Sequence, residues 1–164
     1  MTSDDDARAC VVLDIDGVLA DVRHRLRHVA KKPKDWDAFF AAAPEDPLLD
    51  AGAGFAREAA SSHDIVYLTG RPERTRDDTL AWLRRNCLPA GRLVMRRDGD
   101  RRPAVLTKME AIRRLSTQQR VDLVLDDDPA VVDAISDAGF AVRLADWMPR
   151  DDTLTDAQER EGRT

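Results

Sequence analysis

The sequence has few of the features that would stabilise a small secreted protein or anchor a chain in a membrane. Its two cysteines, Cys10 and Cys87, are too few for a disulfide framework, and we expect both to be reduced and structural. No apolar run approaches the roughly 20 residues that a membrane-spanning helix needs. The amino terminus carries Asp4, Asp5 and Asp6, whereas a signal peptide begins with basic residues. We therefore expect a cytoplasmic protein that does not associate with membranes.

The chain also lacks an excess of positive charge, because 31 acidic residues outnumber 26 basic ones and give a formal net charge of −5 at pH 7. This balance argues against a protein that coats nucleic acid without specificity. The window from Arg84 to Arg102 has the opposite charge balance, with seven arginines and only two aspartates. A basic face of this kind suits a phosphorylated ligand, and it equally suits an ordinary solvated surface rich in arginine.

Five apolar runs of strand length alternate with amphipathic segments along the chain. This alternation predicts an α/β fold with three layers, Rossmann-like, in which helices cover both faces of a parallel sheet. A chain of 164 residues is long enough to bury such a core as one domain. Strands are predicted at residues 10–15, 63–68, 93–95, 121–125 and 140–144, and helices at residues 72–83, 105–115 and 129–138.

The segment between the first two predicted strands, residues 20–60, is too long for a simple crossover. We interpret it as a minimal cap of two or three short helices at the edge of the sheet. Its Trp36, Phe39 and Phe40 form either a small apolar cluster or a platform on which bases of a single-stranded end would stack. Residues 1–149 are predicted to form the domain, and the polar residues 150–164 a C-terminal tail without regular structure.

Polar side chains follow three of the predicted strands where each strand ends. In an open parallel sheet, the loops beyond the carboxyl ends of the strands converge and form the ligand site. We therefore expect these side chains to lie close together. They are Asp14 and Asp16 after the first strand, Thr69, Gly70 and Arg71 after the second, Asp126 and Asp127 after the fourth, and Lys108 on the helix predicted at residues 105–115.

Several carboxylates gathered at one place need a cation. Two unit charges about 4 Å apart repel by ~4 kcal/mol at an effective dielectric constant of about 20. Oxygen ligands without histidine or cysteine favour a hard ion such as Mg²⁺, which also binds substrate phosphate oxygens and leaves one aspartate free to attack phosphorus. Lys108 and Arg71 would neutralise the transferred group, Thr69 would hold its oxygens, and a second carboxylate would move the proton. The pattern predicts phosphoryl transfer.

Each of these residues also has a simpler interpretation. The acids can belong to polar turns, with Asp128 as the N-cap of a helix, and Thr69, Gly70 and Arg71 can form a plain turn. Lys108 can be an ordinary solvated lysine. His24 and His28 have a spacing that can bind a transition metal, but the arginines that alternate with them favour a solvated or substrate-facing helix.

Taken in order, the motifs match a known family. Asp14-Ile15-Asp16-Gly17-Val18, Thr69, Lys108 and Asp126-Asp127 resemble the four motifs of the haloacid dehalogenase (HAD) superfamily of phosphohydrolases, over about residues 9–145. The resemblance implies a HAD fold in which Asp14 is the nucleophile and Asp16 the general acid and base. It also implies that Mg²⁺ binds the Asp14 carboxylate, the backbone carbonyl of Asp16 and an acid of the fourth motif, Asp126 with Asp127 near by.

A narrower likeness is to the phosphatase domain of polynucleotide kinase-phosphatases, which remove 3′ phosphates from nucleic-acid ends. It rests on residues 68–73, 95–102 and 125–127, on Lys108, and on Arg25 at the distance from the first motif that the family shows. The resemblance implies that Arg25, Gly70 and Arg71 bind the substrate. The family tends to carry an aspartate four residues before the lysine, where this chain has Ala104, and the sequence lacks the P-loop of a kinase.

The sequence therefore predicts an enzyme, a Mg²⁺-dependent phosphatase that acts on phosphomonoesters through an aspartyl phosphate. Nucleotides or nucleic-acid 3′-phosphate ends are the expected substrates, and no obligate protein partner is expected. Two alternatives remain open. One is a receiver-like signalling module that accepts a phosphoryl group, although receivers carry adjacent acids after the first strand in place of D-x-D-G. The other is a non-catalytic phosphate-binding protein, with which Ala104 is consistent.

Overall fold

The computed structural model of the protein describes residues 8–164, so the acidic stretch at positions 4–6 lies outside the described residues. Five strands form one parallel sheet, which confirms the predicted fold class. They are β1 (Cys10–Leu13), β2 (Asp64–Pro72), β3 (Gly91–Arg96), β4 (Val121–Asp126) and β5 (Val142–Leu144), hydrogen-bonded in the order β3-β2-β1-β4-β5. The central strand β1 is thus flanked by the two strands that end in predicted site residues.

Helices cover both faces of the sheet. Within residues 8–164 the α-helices are α1 (Trp36–Ala41), α2 (Asp50–Ala59), α3 (Arg76–Arg85), α4 (Ala104–Ser116), α5 (Pro129–Asp137) and α6 (Asp152–Thr155). Alternate residues of β1 point to opposite faces, as the period of a strand requires. Val11 and Leu13 pack in an apolar cluster with α2 and α3, whereas Cys10 and Val12 pack in another with α4 and α5.

The start of one helix differs from the prediction. Pro72 is the last residue of β2, where it pairs with Arg96 of β3, and its backbone is extended. A 3-10 turn, Glu73–Thr75, therefore precedes α3, which begins at Arg76. The other two helices begin within one residue of the expected position, and the Asp128 side chain caps α5 by accepting a hydrogen bond from the Ala130 amide at 3.0 Å, as predicted.

The segment between β1 and β2 holds the short helices that the sequence predicts. Two 3-10 turns, Arg23–His28 and Ala43–Glu45, flank α1, and α2 belongs to the layer on the sheet. The rings of Trp36, Phe39 and Phe40 contact one another, with centroids 5.6 Å apart for Trp36 and Phe39 and 5.2 Å for the two phenylalanines. Both phenylalanines are buried, which favours the apolar-cluster interpretation. The third apolar cluster of the fold forms here, from Val22, Leu26, Val29, Phe39, Phe40, Met148 and Leu154.

The expectation that the tail lacks regular structure is wrong. Residues 152–155 form α6, which Asp151 caps by accepting a hydrogen bond from the Leu154 amide, and residues 156–160 form a π-helical turn. Leu154 and Ala157 are buried, because Leu154 completes the apolar cluster beneath the cap. The division between a domain of residues 1–149 and a separate tail stays a prediction.

Two further sequence-based expectations can be compared with the structure. Cys10 is fully buried in β1, as expected of a structural thiol, but Cys87 is exposed, so the expectation is wrong for Cys87. Among residues 8–164, no helix combines the length and the apolar character that crossing a bilayer requires.

Candidate active site

Buried acids meet at the carboxyl edge of the sheet, as the strand-end pattern predicts. Leu13 of β1 lies in register with Leu125 of β4, and the Asp14 amide donates a hydrogen bond to the Leu125 carbonyl at 3.0 Å. This pairing puts Asp14 beside Asp126. Oxygen atoms of Asp14, Asp126 and Asp127 all lie within 4.8 Å of one another.

A glycine makes room for the third of these acids. Gly17 has φ of +82°, a left-handed conformation that glycine adopts without strain. A Cβ at this position would also overlap the carboxylate of Asp127. The glycine of the D-x-D-G motif thus both turns the chain after β1 and lets Asp127 approach the loop.

Lys108 on α4 joins two members of the acid cluster. Its Nζ donates to Asp14 Oδ2 at 2.8 Å and to Asp126 Oδ2 at 2.6 Å. The other oxygens of these aspartates accept backbone amides, Asp14 Oδ1 from Ile15 at 2.7 Å and Asp126 Oδ1 from Asp128 at 3.0 Å. Lys108 is 3% exposed, so the simpler interpretation as a solvated lysine does not apply.

The cluster has more negative than positive charge, and its protonation equilibria reflect this. Burial, with Asp126 and Asp127 near by, raises the pKa of Asp14 well above its usual value despite Lys108. Burial and Asp126 likewise raise the pKa of Asp127 to about 7, against the opposing effect of Arg150. Burial alone would lower the pKa of Lys108, but Asp126 and Asp14 outweigh it and raise that pKa. The ammonium stays charged, while burial and neighbouring negative charge oppose ionisation of Asp14 and Asp127.

The donor set fits a hard divalent cation. Three buried carboxylates face two cations, Lys108 and Arg150, and Asp127 Oδ1 is buried without a hydrogen-bond partner. A buried carboxylate oxygen without a donor is costly unless a cation approaches it. Within the part of the chain that the structure describes, this is the one cluster with the geometry of a metal site. His24 contacts Asp46, and that His24 and His28 bind no zinc stays a prediction.

Asp16 points away from the acid cluster, toward two arginines. Arg71 donates from Nε and Nη2 to Asp16 Oδ1 at 2.8 and 2.6 Å, and Arg25 Nη2 donates to the same oxygen at 3.0 Å. Burial would raise the pKa of Asp16, but Arg25 and Arg71 outweigh it and hold the pKa well below its usual value. The predicted substrate-binding arginines therefore pair with the predicted general acid and base.

Asp46 completes this second group, and sequence reasoning missed it. Its carboxylate accepts from Arg25 Nε at 2.8 Å and Nη2 at 2.9 Å, and from Arg71 Nη2 at 2.8 Å. His24 Nε2 lies 2.7 Å from the same carboxylate. Asp46 comes directly after the 3-10 turn Ala43–Glu45 and lies between Pro44 and Pro47. No motif or periodicity in this stretch of the sequence marks it as a site residue. Asp16, Asp46, Arg25 and Arg71 thus form a buried cluster of two acids and two arginines.

Thr69, Gly70 and Arg71 lie within β2 near its carboxyl end, and not in a turn after the strand; the pairing of β2 with β3 shifts register between Thr69 and Pro72. Thr69 Oγ1 accepts the Arg71 amide at 3.2 Å, and the Gly70 carbonyl accepts Arg96 Nε at 3.2 Å. All of these side chains are buried at the same edge as Asp14. Arg96 comes from the basic window, of which another member, Arg102, pairs with the half-buried Asp100 and the exposed Glu110.

Ala104, the departure from the family pattern, is fully buried at the start of α4. It lies in the apolar cluster that contains Met109 and Ile112. Lys108 is held by its two acids one turn further along the helix, so its position does not depend on an aspartate at 104.

The C-terminal segment, residues 150–164, reaches into the site from two sides. Arg150 Nη1 donates to Asp127 Oδ2 at 2.9 Å, and Thr164 Oγ1 donates to Asp16 Oδ2 at 3.0 Å. The Thr164 carbonyl accepts from Arg96 Nη2 at 3.4 Å, and a Cβ on Gly70 would overlap the Thr164 backbone. Sequence reasoning missed these contacts because it treated the segment as unstructured.

Comparison with known proteins agrees with the resemblance seen in the sequence. A family model described as the polynucleotide kinase PNKP phosphatase domain matches residues 8–144. No curated protein matches the chain at a significant level.

Three solved structures share the fold of this chain at low sequence identity. A Pnkp1/Rnl/Hen1 complex matches at 22% identity and a TM-score of 0.69 over 86% of this chain, and a Pnkp1/Rnl/Hen1 RNA repair complex at 21% and 0.70 over 88%. The chain covers 47% and 44% of those two chains, less than half of their length. A haloacid dehalogenase-like hydrolase from Streptococcus pneumoniae matches at 14% identity and a TM-score of 0.57, over 92% of this chain and 91% of the other.

Proposed function

Because the chain belongs to the family of polynucleotide kinase PNKP phosphatase domains, we propose that it hydrolyses phosphate monoesters through an aspartyl phosphate on Asp14 and requires Mg²⁺. The observation that carries this proposal is the buried meeting of Asp14, Asp126 and Asp127 beside Lys108. A carboxylate nucleophile, a cation-binding acid cluster and a fixed ammonium are the groups that this chemistry needs.

Asp14, Asp126 and Asp127 would hold the magnesium ion, with the backbone carbonyl of Asp16 as a further ligand. Hard oxygen ligands and the unpartnered Asp127 Oδ1 fit this ion. When bound, Mg²⁺ supplies the positive charge that the acid cluster lacks and that the phosphate oxygens of a substrate also require.

The residues of the chain would carry the reaction in two steps. An oxygen of Asp14 attacks phosphorus, the bond from phosphorus to the ester oxygen breaks, and Asp16 gives that oxygen a proton. Asp16 then takes a proton from water, whose oxygen attacks phosphorus and breaks the bond to Asp14, which releases inorganic phosphate. Lys108 and Thr69 hold charge and oxygens of the transferred group throughout.

In the structure, Asp16 is paired with two arginines, which would keep it ionised. A phosphate group competes for the same guanidinium donors, because its oxygens accept charge-assisted hydrogen bonds as a carboxylate does. Substrate binding would therefore draw Arg25 and Arg71 from Asp16 to the phosphate, which leaves Asp16 able to gain and lose a proton.

The substrates we propose are nucleotides or nucleic-acid ends with a 3′ phosphate. Family membership supports this class, as does a site bordered by buried Arg25, Arg71 and Arg96. The phosphatase family disfavours the receiver-like and the non-catalytic alternatives, and the Lys108 contacts are in place although residue 104 is alanine. A cytoplasmic location and the lack of an obligate protein partner stay predictions.

The experiment compares the wild type with Asp14→Asn on a 3′-phosphorylated oligonucleotide, a mononucleotide and a sugar phosphate, with magnesium and with a chelator. We expect wild-type turnover that depends on magnesium and is lost in Asp14→Asn. Asp137→Asn, which alters an exposed residue at the end of α5, serves as the matched control and should retain full activity. Undiminished turnover by Asp14→Asn would contradict the proposal.

A further inference from the structure

We infer that Asp46 is a positioning residue that holds Arg25 and Arg71 in place to receive the substrate phosphate. The inference rests on the proposed function and adds a residue to it. Asp46 has no exposed side-chain surface, and its two oxygens receive three hydrogen bonds of 2.8 to 2.9 Å from the two guanidinium groups. Buried carboxylates paired in this manner fix the orientation of an arginine.

The arginines have two kinds of carboxylate partner with different roles. Asp16 lies in the D-x-D-G loop next to the proposed nucleophile, whereas Asp46 belongs to the cap region and does not contact the acid cluster. If phosphate takes the place of Asp16 as the acceptor, Asp46 still binds both guanidiniums. The donors therefore stay oriented when the substrate enters, and little conformational entropy is lost on binding.

Asp46 can act as an anchor because the core holds its backbone. The Asp46 carbonyl accepts a hydrogen bond from Trp82 Nε1 at 2.9 Å, and Trp82 is fully buried. The Asp46 amide donates to the Ala43 carbonyl at 3.1 Å, which closes the 3-10 turn. A residue fixed to the core at both backbone groups is a rigid support for the two arginines.

Arg25 has one donor to spare. Its Nη1 is buried and has no hydrogen-bond partner, while its guanidinium carbon lies 4.3 Å from the centre of the Phe39 ring. A buried charged donor without an acceptor is costly to keep. A phosphate oxygen would supply the acceptor, so substrate binding would pair the one unsatisfied nitrogen of Arg25.

The first test measures steady-state kinetics of Asp46→Asn, with Glu45→Gln as the matched control, since Glu45 is the neighbouring acid and is exposed. We expect Asp46→Asn to raise KM roughly tenfold or more and to change kcat much less, and Glu45→Gln to change neither. A lower KM would mean that Asp46 acts only as a negative charge that repels phosphate, and it would overturn the inference. So would an unchanged KM.

A double-mutant cycle asks whether Asp46 acts through Arg71. We expect the double variant Asp46→Asn with Arg71→Ala to lose less kcat/KM than the product of the two single losses, because Asp46 acts partly through Arg71 and partly through Arg25. Losses that multiply would show that Asp46 acts independently of Arg71.

A milder variant, His24→Ala, keeps the inference testable if Asp46→Asn does not fold. It removes one partner of the Asp46 carboxylate, and the side chain of that partner is 30% exposed. It should raise KM about two- to threefold, and no rise would count against the inference.

A binding measurement separates this inference from the proposed function. Calorimetry with inorganic phosphate requires no turnover, and it can be performed on Asp14→Asn with and without the added Asp46→Asn change. We expect weaker phosphate binding by roughly tenfold when Asp46 is also changed. If the wild type proves inactive but this loss appears, the proposed function fails and the role of Asp46 stands. Equal phosphate affinity would overturn the role of Asp46 alone.

Discussion

The ammonium group of Lys108 lies 2.8 Å from Asp14 Oδ2, and each side chain is only 3% exposed. The contact joins α4 to the residue that follows β1. Lys108 also lies 2.6 Å from Asp126, so one lysine is the direct cation partner of two buried acids. The acid cluster therefore depends on Lys108 for stability in the absence of a metal ion.

Replacing Lys108 by methionine should destabilise the metal-free protein strongly. The change leaves two buried carboxylates without their cation, and breaking a buried pair from one side costs about 3–5 kcal/mol. Urea unfolding in the presence of a chelator measures the loss. Lys31→Met, at an exposed residue of the cap, should stay within about 0.5 kcal/mol of the wild type. A Lys108→Met variant as stable as this control would show that the acids do not depend on the ammonium.

Magnesium should raise the thermal stability of the wild type. A ligand that binds only the folded state adds about 2.7 kcal/mol at a concentration one hundred times its dissociation constant. Asp127→Asn, which removes a charge from the proposed ligand set, should shift the magnesium titration of the melting temperature to higher concentrations. Asp137→Asn should leave the titration unchanged. Identical titrations for Asp127→Asn and the wild type would exclude Asp127 as a ligand.

Removing residues 161–164 should lower KM for the substrate. Thr164 binds the acceptor Asp16 and the donor Arg96, which the substrate would otherwise contact. The deletion spares Leu154 and Ala157, so the packing of α6 is retained. Steady-state kinetics should show a KM several-fold lower with little change in kcat. Arg160→Ala, which alters an exposed ion pair in the same segment, is the control. An unchanged KM after deletion would mean that these four residues do not compete with substrate.

Packing of the C-terminal segment should weaken as pH rises. Burial, together with a hydrogen bond and negative charge from Asp128, raises the pKa of Glu159 to about 8 from its usual 4.5. Glu159 therefore binds more protons when the segment is packed. Its contribution is fully present below pH 4.5 and is lost as pH rises through about 8.

Hydrogen exchange of residues 152–160, corrected for intrinsic rates, measures this effect. Protection should be lower at pH about 9 than at pH about 6 in the wild type. Glu159→Gln should flatten the difference, because glutamine carries no titrating proton. An equal loss of protection in Glu159→Gln would assign the pH dependence to another group.

Much of the site could be predicted because of one rule of parallel sheets. Asp14 follows β1, Thr69 lies near the carboxyl end of β2 and Asp126 ends β4, and neighbouring parallel strands end at the same edge. Lys108 could be added because the order of the motifs matched a family. These predictions needed the periodicity of strands, the positions of a few polar residues and the motif order of the family.

The remaining parts depend on contacts that no local pattern encodes. Asp46 meets Arg25 and Arg71 only because the chain between β1 and β2 folds back over the sheet edge. Leu154 is a single apolar residue in a polar stretch, and its burial requires a cluster built from distant residues such as Val22 and Met148. Pro72 continues β2 because Arg96 pairs with it, which outweighs the preference of proline for a helix start.

The contact between Thr164 and Asp16 also has a consequence for selectivity. A group on the same chain competes for its site at an effective concentration in the millimolar range. A phosphate monoester that makes no other contact would compete poorly with it, whereas a nucleotide or a nucleic-acid end that also binds the surrounding arginines would gain free energy to displace it. The segment would then favour ligands by the contacts that they make beyond the phosphate as well as by the phosphate itself.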